Sequence, residues 1–157
     1  MDIIKKILAP TDLSPFSAKG VRYACSLAKA LQAQVTIIHV FNTADFLAAA
    51  RSLGYESLGV ENDNLLGRLL EQDKQLLQQF LDQHLSDLKA ELEMEQVVEM
   101  GTPYRIVVNW AKEKGIDLIV MSTHGRSGLP RMLIGSVTNK VLRSSPCPVL
   151  VIPSHER

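Results

Sequence analysis

In the stretch STHGRSGLPRMLIGSVTNKV, residues 122–141, Gly125 and Gly128 sit in a polar loop, and Gly135 with Ser136 follows Gly125 after nine intervening residues. Glycine lets backbone approach a ligand closely because no Cβ stands in the way. Ser136 opens a helical pattern, and the first turn of a helix carries unpaired N–H groups at the positive end of the helix dipole. Ser136, Val137 and Thr138 could therefore bind phosphate oxygens, with the two hydroxyls as extra donors and His124, Arg126 and Lys140 adding positive field. A plainer reading of the same residues is a tight turn at Gly125 and Gly128, with Ser136 capping its own helix. Asp12, after the first apolar run, is a second candidate. Its carboxylate is the hard ligand that a phosphate-bound Mg²⁺ prefers, and capping the following helix is its alternative role.

Other titratable residues are assigned to structure. His39 lies inside an apolar run and is read as a satisfied interior or helix-facing histidine; His84 and His155 are incidental. Asp117 begins a strand, at the edge of the sheet opposite any ligand cleft. Cys25 and Cys147 have no Cys or His neighbour at metal-ligand spacing and are read as packing residues.

The elements that must position these residues alternate along the chain. Residues 3–9 form a short apolar strand closed by Pro10, Thr11 and Asp12; Ser14 and Pro15 then start a helix whose Val21, Ala24, Cys25, Ala28 and Leu31 share one face. Residues 35–40 are a nearly continuous apolar run, as in a strand covered on both faces. Residues 41–62 have no sustained period and suggest a long excursion with one short helix. From about 64 to 92 a leucine stripe predicts a helix with its apolar face on the core. Residues 96–100 form a third strand, Thr102 and Pro103 open a helix that Lys114 and Gly115 end, and residues 117–121 form a fourth strand. A helix over 136–143 and a strand over 148–152 complete the chain. Such alternation predicts an open, mostly parallel sheet with helices on both faces, which binds ligands beyond the carboxyl ends of its strands.

Composition narrows the class. The 157 residues suffice for one domain, 1–157, with a core of its own. Seventeen basic and seventeen acidic side chains cancel, so no overall field draws the chain to nucleic acid or an anionic membrane. Asp2, Lys5 and Lys6 interrupt the amino-terminal apolar run, which argues against a leader or a membrane span and for a cytoplasmic location.

ILAPTDLS near the start, HVF at the end of the second strand, MGTP before the third helix, DLIVMSTHGRSG and the ending GSVTNKVLRSSPCPVLVIP together resemble the nucleotide-binding universal stress proteins over nearly the full length. That family carries a G-x-x-G, nine residues, G-[ST] pattern after strand four. Here Ser122 stands at the first glycine, where it adds a side chain at a position the nucleotide's sugar approaches, with a hydroxyl able to turn toward ribose or an α-phosphate oxygen. The resemblance implies a five-stranded Rossmann-like sheet of order 3-2-1-4-5 and an ATP site, with ADP or AMP as alternatives and Mg²⁺ as companion. By that similarity Pro10, Thr11 and Asp12 border the nucleoside and the Val40 backbone meets the adenine edge. Ser122, Thr123, His124, Gly125, Arg126, Ser127 and Gly128 wrap ribose and phosphates; Gly135, Ser136, Val137 and Thr138 complete the phosphate site.

Two functions follow: a nucleotide-dependent regulator of the stress response, or a family member acting only as a dimeric interaction module. The family and an uncovered apolar edge both imply a homodimer through strand 148–152. Enzyme classes fit poorly. PTDLS is not a pyrophosphate loop, no G-x-x-x-x-G-K-[ST] loop is present, and the third strand ends in Met100 and Gly101 where a phosphoacceptor would need an aspartate. At most, slow ATP hydrolysis or self-phosphorylation is expected.

Overall fold

The computed structural model describes residues 3–52, 63–124 and 133–154. Strand β1 (Lys6–Thr11) leads into helix α1 (Pro15–Leu31), β2 (Gln34–Asn42), α2 (Thr43–Ser52), α3 (Asp63–Lys89), β3 (Met94–Gly101), α4 (Pro103–Lys114), β4 (Leu118–Ser122), α5 (Ser136–Ser144) and β5 (Val149–Ile152). The five strands form one sheet of order β3-β2-β1-β4-β5, and every pairing is parallel. This is the predicted topology, and strand order reverses between β1 and β4.

The helix signals in the sequence work as capping chemistry. Ser14 Oγ accepts from the Ser17 N–H at the start of α1, and Pro15 occupies the first turn, where its missing N–H costs nothing. Gly115 ends α4 in the left-handed region (φ 64°), where the absence of a Cβ removes the steric penalty. At the other end of the sheet the Asp117 carboxylate accepts from the backbone N–H groups of Lys5 and Lys6, both at 2.9 Å, and so secures the start of β1. Its structural assignment stands. Within the irregular stretch, α2 accounts for ten residues; residues 53–62 lie outside the described ones. β3 begins at Met94, two residues before the predicted start, because its ladder with β2 runs unbroken from Val35↔Met94 to Asn42↔Gly101.

Strand side chains alternate between two covered faces. Ile7, Ala9, Val35, Ile37, Leu118 and Val120 pack under α1 and α3. Leu8, Ile38, Val40, Ile119 and Met121 pack under α4 and α5 with Val107, Ala111 and Val141. Each fully buried aliphatic side chain contributes on the order of 2 kcal/mol, so register is strongly specified on both faces. The leucine stripe of α3 faces the core as predicted from Leu77 onward, through Leu77, Phe80, Leu81, Leu85 and Leu88, whereas Leu66, Leu69 and Leu70 of its first turns are only half-buried and lie outside the core cluster. No helix among the described residues is long and apolar enough to cross a membrane.

Alternation also fixes Ser122. It continues the Leu118 and Val120 side of β4, toward α1, where Gly20 provides the room: a Cβ on Gly20 would lie 2.7 Å from both Ser122 N and Ser122 Oγ.

Candidate functional site

At the β1/β4 switch point, beyond the carboxyl ends of β1, β2 and β4, lies a cavity of about 680 Å³, within the range of small-molecule sites. Its walls include Pro10, Thr11, Asp12, Val40, Ser122, His124, Gly135, Ser136, Val137 and Thr138. Ten of the predicted site residues thus meet around one space. Gly125, Arg126, Ser127 and Gly128 lie outside the described residues. Thr123 is the described candidate that does not line the cavity.

The phosphate-type end is built by α5. Its N-cap is Gly135, which has no side chain to bond the first turn, so Ser136 is the first helical residue and not the cap. Ser136, Val137 and Thr138 of that turn line the cavity, and the first turn of a helix carries N–H groups without partners inside the helix. Two bonds hold the turn on β4. Gly135 N–H donates to the Thr123 carbonyl at 2.7 Å, and the Thr138 hydroxyl donates to the Ser122 carbonyl at 3.0 Å. A Cβ on Gly135 would come within 3.3 Å of that Thr123 oxygen, which explains a glycine there.

The hydroxyls of Thr138 and Ser122, offered to a ligand by the sequence, are engaged elsewhere, as are those of Thr123, Thr11 and Ser17. Thr138 Oγ1 is bonded to the Ser122 carbonyl and is 4% exposed. Ser122 Oγ accepts from Gly20 N–H at 2.9 Å and lies 3.4 Å from the Ser17 carbonyl, so it is turned to α1. Thr123 Oγ1 accepts from Ser154 N–H at 3.0 Å. Ser17 Oγ donates to the Ser14 carbonyl at 2.9 Å, which leaves Thr11 Oγ1 to donate to Ser17 Oγ at 2.7 Å. Among the described residues, backbone N–H groups and the exposed Ser136 hydroxyl therefore remain as donors at this end.

The opposite wall is acidic and aromatic. Asp12 lines the cavity while its Oδ1 accepts from the Ser14 N–H at 3.0 Å and from the Ser14 hydroxyl at 2.5 Å, so it steadies the cap of α1 and faces the ligand space at once. Leu13, between them, is held at φ 65°, a strained conformation for this residue. Phe41, Asn42, Asp45 and Phe46 from the end of β2 and from α2 complete this side, with the two phenyl centroids 5.8 Å apart. Lack of periodicity hid them; their position directly after Val40 was the available signal.

His39 is satisfied, as expected, but it also lines the cavity together with Asp73 of α3. Its Nδ1 lies 3.0 Å from the Thr11 carbonyl, which can only accept, so Nδ1 carries a hydrogen. Nε2 lies 3.0 Å from Asp73 Oδ2, and that bond needs a proton of its own, shared by the pair. No spacing rule links position 39 to position 73; only the docking of α3 on β2 does. Burial pushes the Cys25 thiol up to about 11, in keeping with a packing role.

The family model for the universal stress protein family matches residues 4–153. Universal stress protein MJ0531 of Methanocaldococcus jannaschii is 31% identical over 96% of this chain and 83% of its own length. Among solved structures, the protein MJ0577 superposes with a TM-score of 0.72 at 26% identity, covering 99% of this chain and all of the other. The universal stress protein from Archaeoglobus fulgidus solved in complex with dAMP superposes with a TM-score of 0.61 at 21% identity, over 96% of this chain and 99% of the other.

Proposed function

The chain belongs to the universal stress protein family, and from that premise we propose that its cavity holds an adenine nucleotide whose occupancy regulates the protein's contacts in the stress response. ATP is the first choice, with ADP or AMP as alternatives. The observation that carries the reading is the first turn of α5, capped by a residue without a side chain and facing a 680 Å³ cavity at the switch point of a parallel sheet. Phosphates lie at that turn, and the nucleoside lies toward Pro10, Thr11, Asp12 and Val40. A relative of the same fold bound to dAMP supports adenine over other bases.

Gly125, Arg126, Ser127 and Gly128 close over ribose and phosphates in this reading. Mg²⁺ arrives with the nucleotide's phosphates, and Asp12 is the carboxylate placed to meet it. Efficient catalysis forms no part of the reading; slow ATP hydrolysis or self-phosphorylation is the most it includes. Residues 1–157 act as one cytoplasmic domain, which pairs with a second copy through the open edge of β5, where Val149, Leu150, Val151 and Ile152 are all partly exposed. Neither nucleic acid nor membrane insertion enters it.

Small molecules released from the denatured purified protein, identified by mass, and calorimetric titration of Mg-ATP into nucleotide-free protein test the assignment. Co-purifying adenine nucleotide or micromolar binding, worth about 8 kcal/mol, is expected. If no nucleotide is found by either route, the interaction-module reading replaces this one.

A further inference from the structure

The chain continues past β5 to a serine that the cavity does not touch. Ser154 is 9% exposed and holds the tail of β4 from the outside. Its N–H donates to Thr123 Oγ1 at 3.0 Å, and its Oγ accepts from the His124 N–H at 3.1 Å. The same hydroxyl lies 3.3 Å from the His124 carbonyl, to which it donates, and 3.2 Å from Thr123 Oγ1. Next to these, Thr123 N–H donates to the Ile152 carbonyl at 2.9 Å. One side chain thus bonds both backbone polar groups of His124 while its own backbone bonds the hydroxyl of the preceding residue.

The tail of β4 is what the first turn of α5 rests on. Thr123 carries the carbonyl that receives Gly135 N–H, and Ser122 carries the carbonyl that receives the Thr138 hydroxyl. Ser154, the tail and the turn form a continuous chain of hydrogen bonds from the edge of the sheet to the anion-binding end of the cavity. A displacement of the tail by a fraction of an ångström re-aims the N–H groups of α5, and hydrogen bonding to phosphate oxygens is steep in distance and angle.

We propose that Ser154 is a positioning residue for phosphate binding, acting through Thr123 and His124 on the N-terminus of α5. This rests on the nucleotide reading above. The prediction is selective: loss of the Ser154 hydroxyl weakens ligands that carry phosphate and spares those that do not.

The test uses the full chain with Ser154→Ala and Ser154→Thr, titrated calorimetrically with Mg-ATP and with adenosine, with amide hydrogen exchange at Gly135 followed in parallel. Ser154→Ala should weaken ATP about tenfold, change adenosine less than about twofold and speed exchange of the Gly135 N–H severalfold. Ser154→Thr, which keeps the hydroxyl, should restore all three. Equal weakening of ATP and adenosine would mark a general structural role and overturn the proposal, as would unchanged ATP affinity in Ser154→Ala. If the unaltered protein binds neither ligand, the nucleotide reading fails separately, and exchange at Gly135 decides: a rate untouched by Ser154→Ala sinks the positioning role too.

Discussion

Ser122 occupies the place of a motif glycine, and replacing it with glycine separates two accounts of what its side chain does. If the side chain faced the sugar, Ser122→Gly would open the site and tighten nucleotide binding. The structure turns the hydroxyl to α1, where it accepts from Gly20 N–H at 2.9 Å. That bond contributes about 1 kcal/mol net. A glycine in a strand costs about another 0.5–1 kcal/mol through the entropy of the unfolded chain, and the 3.4 Å contact with the Ser17 carbonyl adds little. Ser122→Gly should therefore lower folding stability by about 2 kcal/mol while changing the dissociation constant for Mg-ATP less than about threefold, under 0.7 kcal/mol. Urea denaturation reads the first and calorimetry the second. Tightening of tenfold or more, with stability unchanged, would refute the assignment of this side chain to α1.

Gly20→Ala should destabilise despite the gain of about 1 kcal/mol in helix propensity, because the new Cβ meets Ser122 N at 2.7 Å and the Met121 carbonyl carbon at 2.9 Å, backbone atoms that cannot swing aside. A net loss of about 1–2 kcal/mol is expected, seen as a lower urea midpoint; a higher midpoint would mean the helix docks less closely. Asp73→Ala strands His39 Nε2 in a site where the imidazole is 5% exposed and should cost about 1–3 kcal/mol. Asp73→Asn, whose amide can donate to a neutral imidazole, should cost far less, and equal losses in urea denaturation would contradict the shared proton. Cys25, raised from 9.0 to about 11 by burial, favours folding in its neutral form. Its contribution is complete below about pH 9 and lost as pH rises toward 11, so Cys25→Ala should flatten the fall of the urea midpoint across that window.

What the sequence determined by itself was local or periodic. Apolar runs of strand length, the Ser14–Pro15 and Thr102–Pro103 helix starts and the Gly115 stop are set by contacts within a few residues, and they suffice for the order of elements and the sheet they form. The helix start at Gly135 and Ser136 located one end of the cavity because a helix start announces itself in the chain. Strand parity, with Ser122 two residues after Val120, even contained the direction of its side chain. The tertiary structure alone decided which hydroxyls remain for a ligand, since Thr11, Ser122, Thr123 and Thr138 meet partners in other elements or across turns. It alone paired His39 with Asp73 and brought Ser154 against the tail of β4. A hydroxyl's proton and lone pairs go to whatever packing places within 3 Å, and that distance is a property of the folded chain.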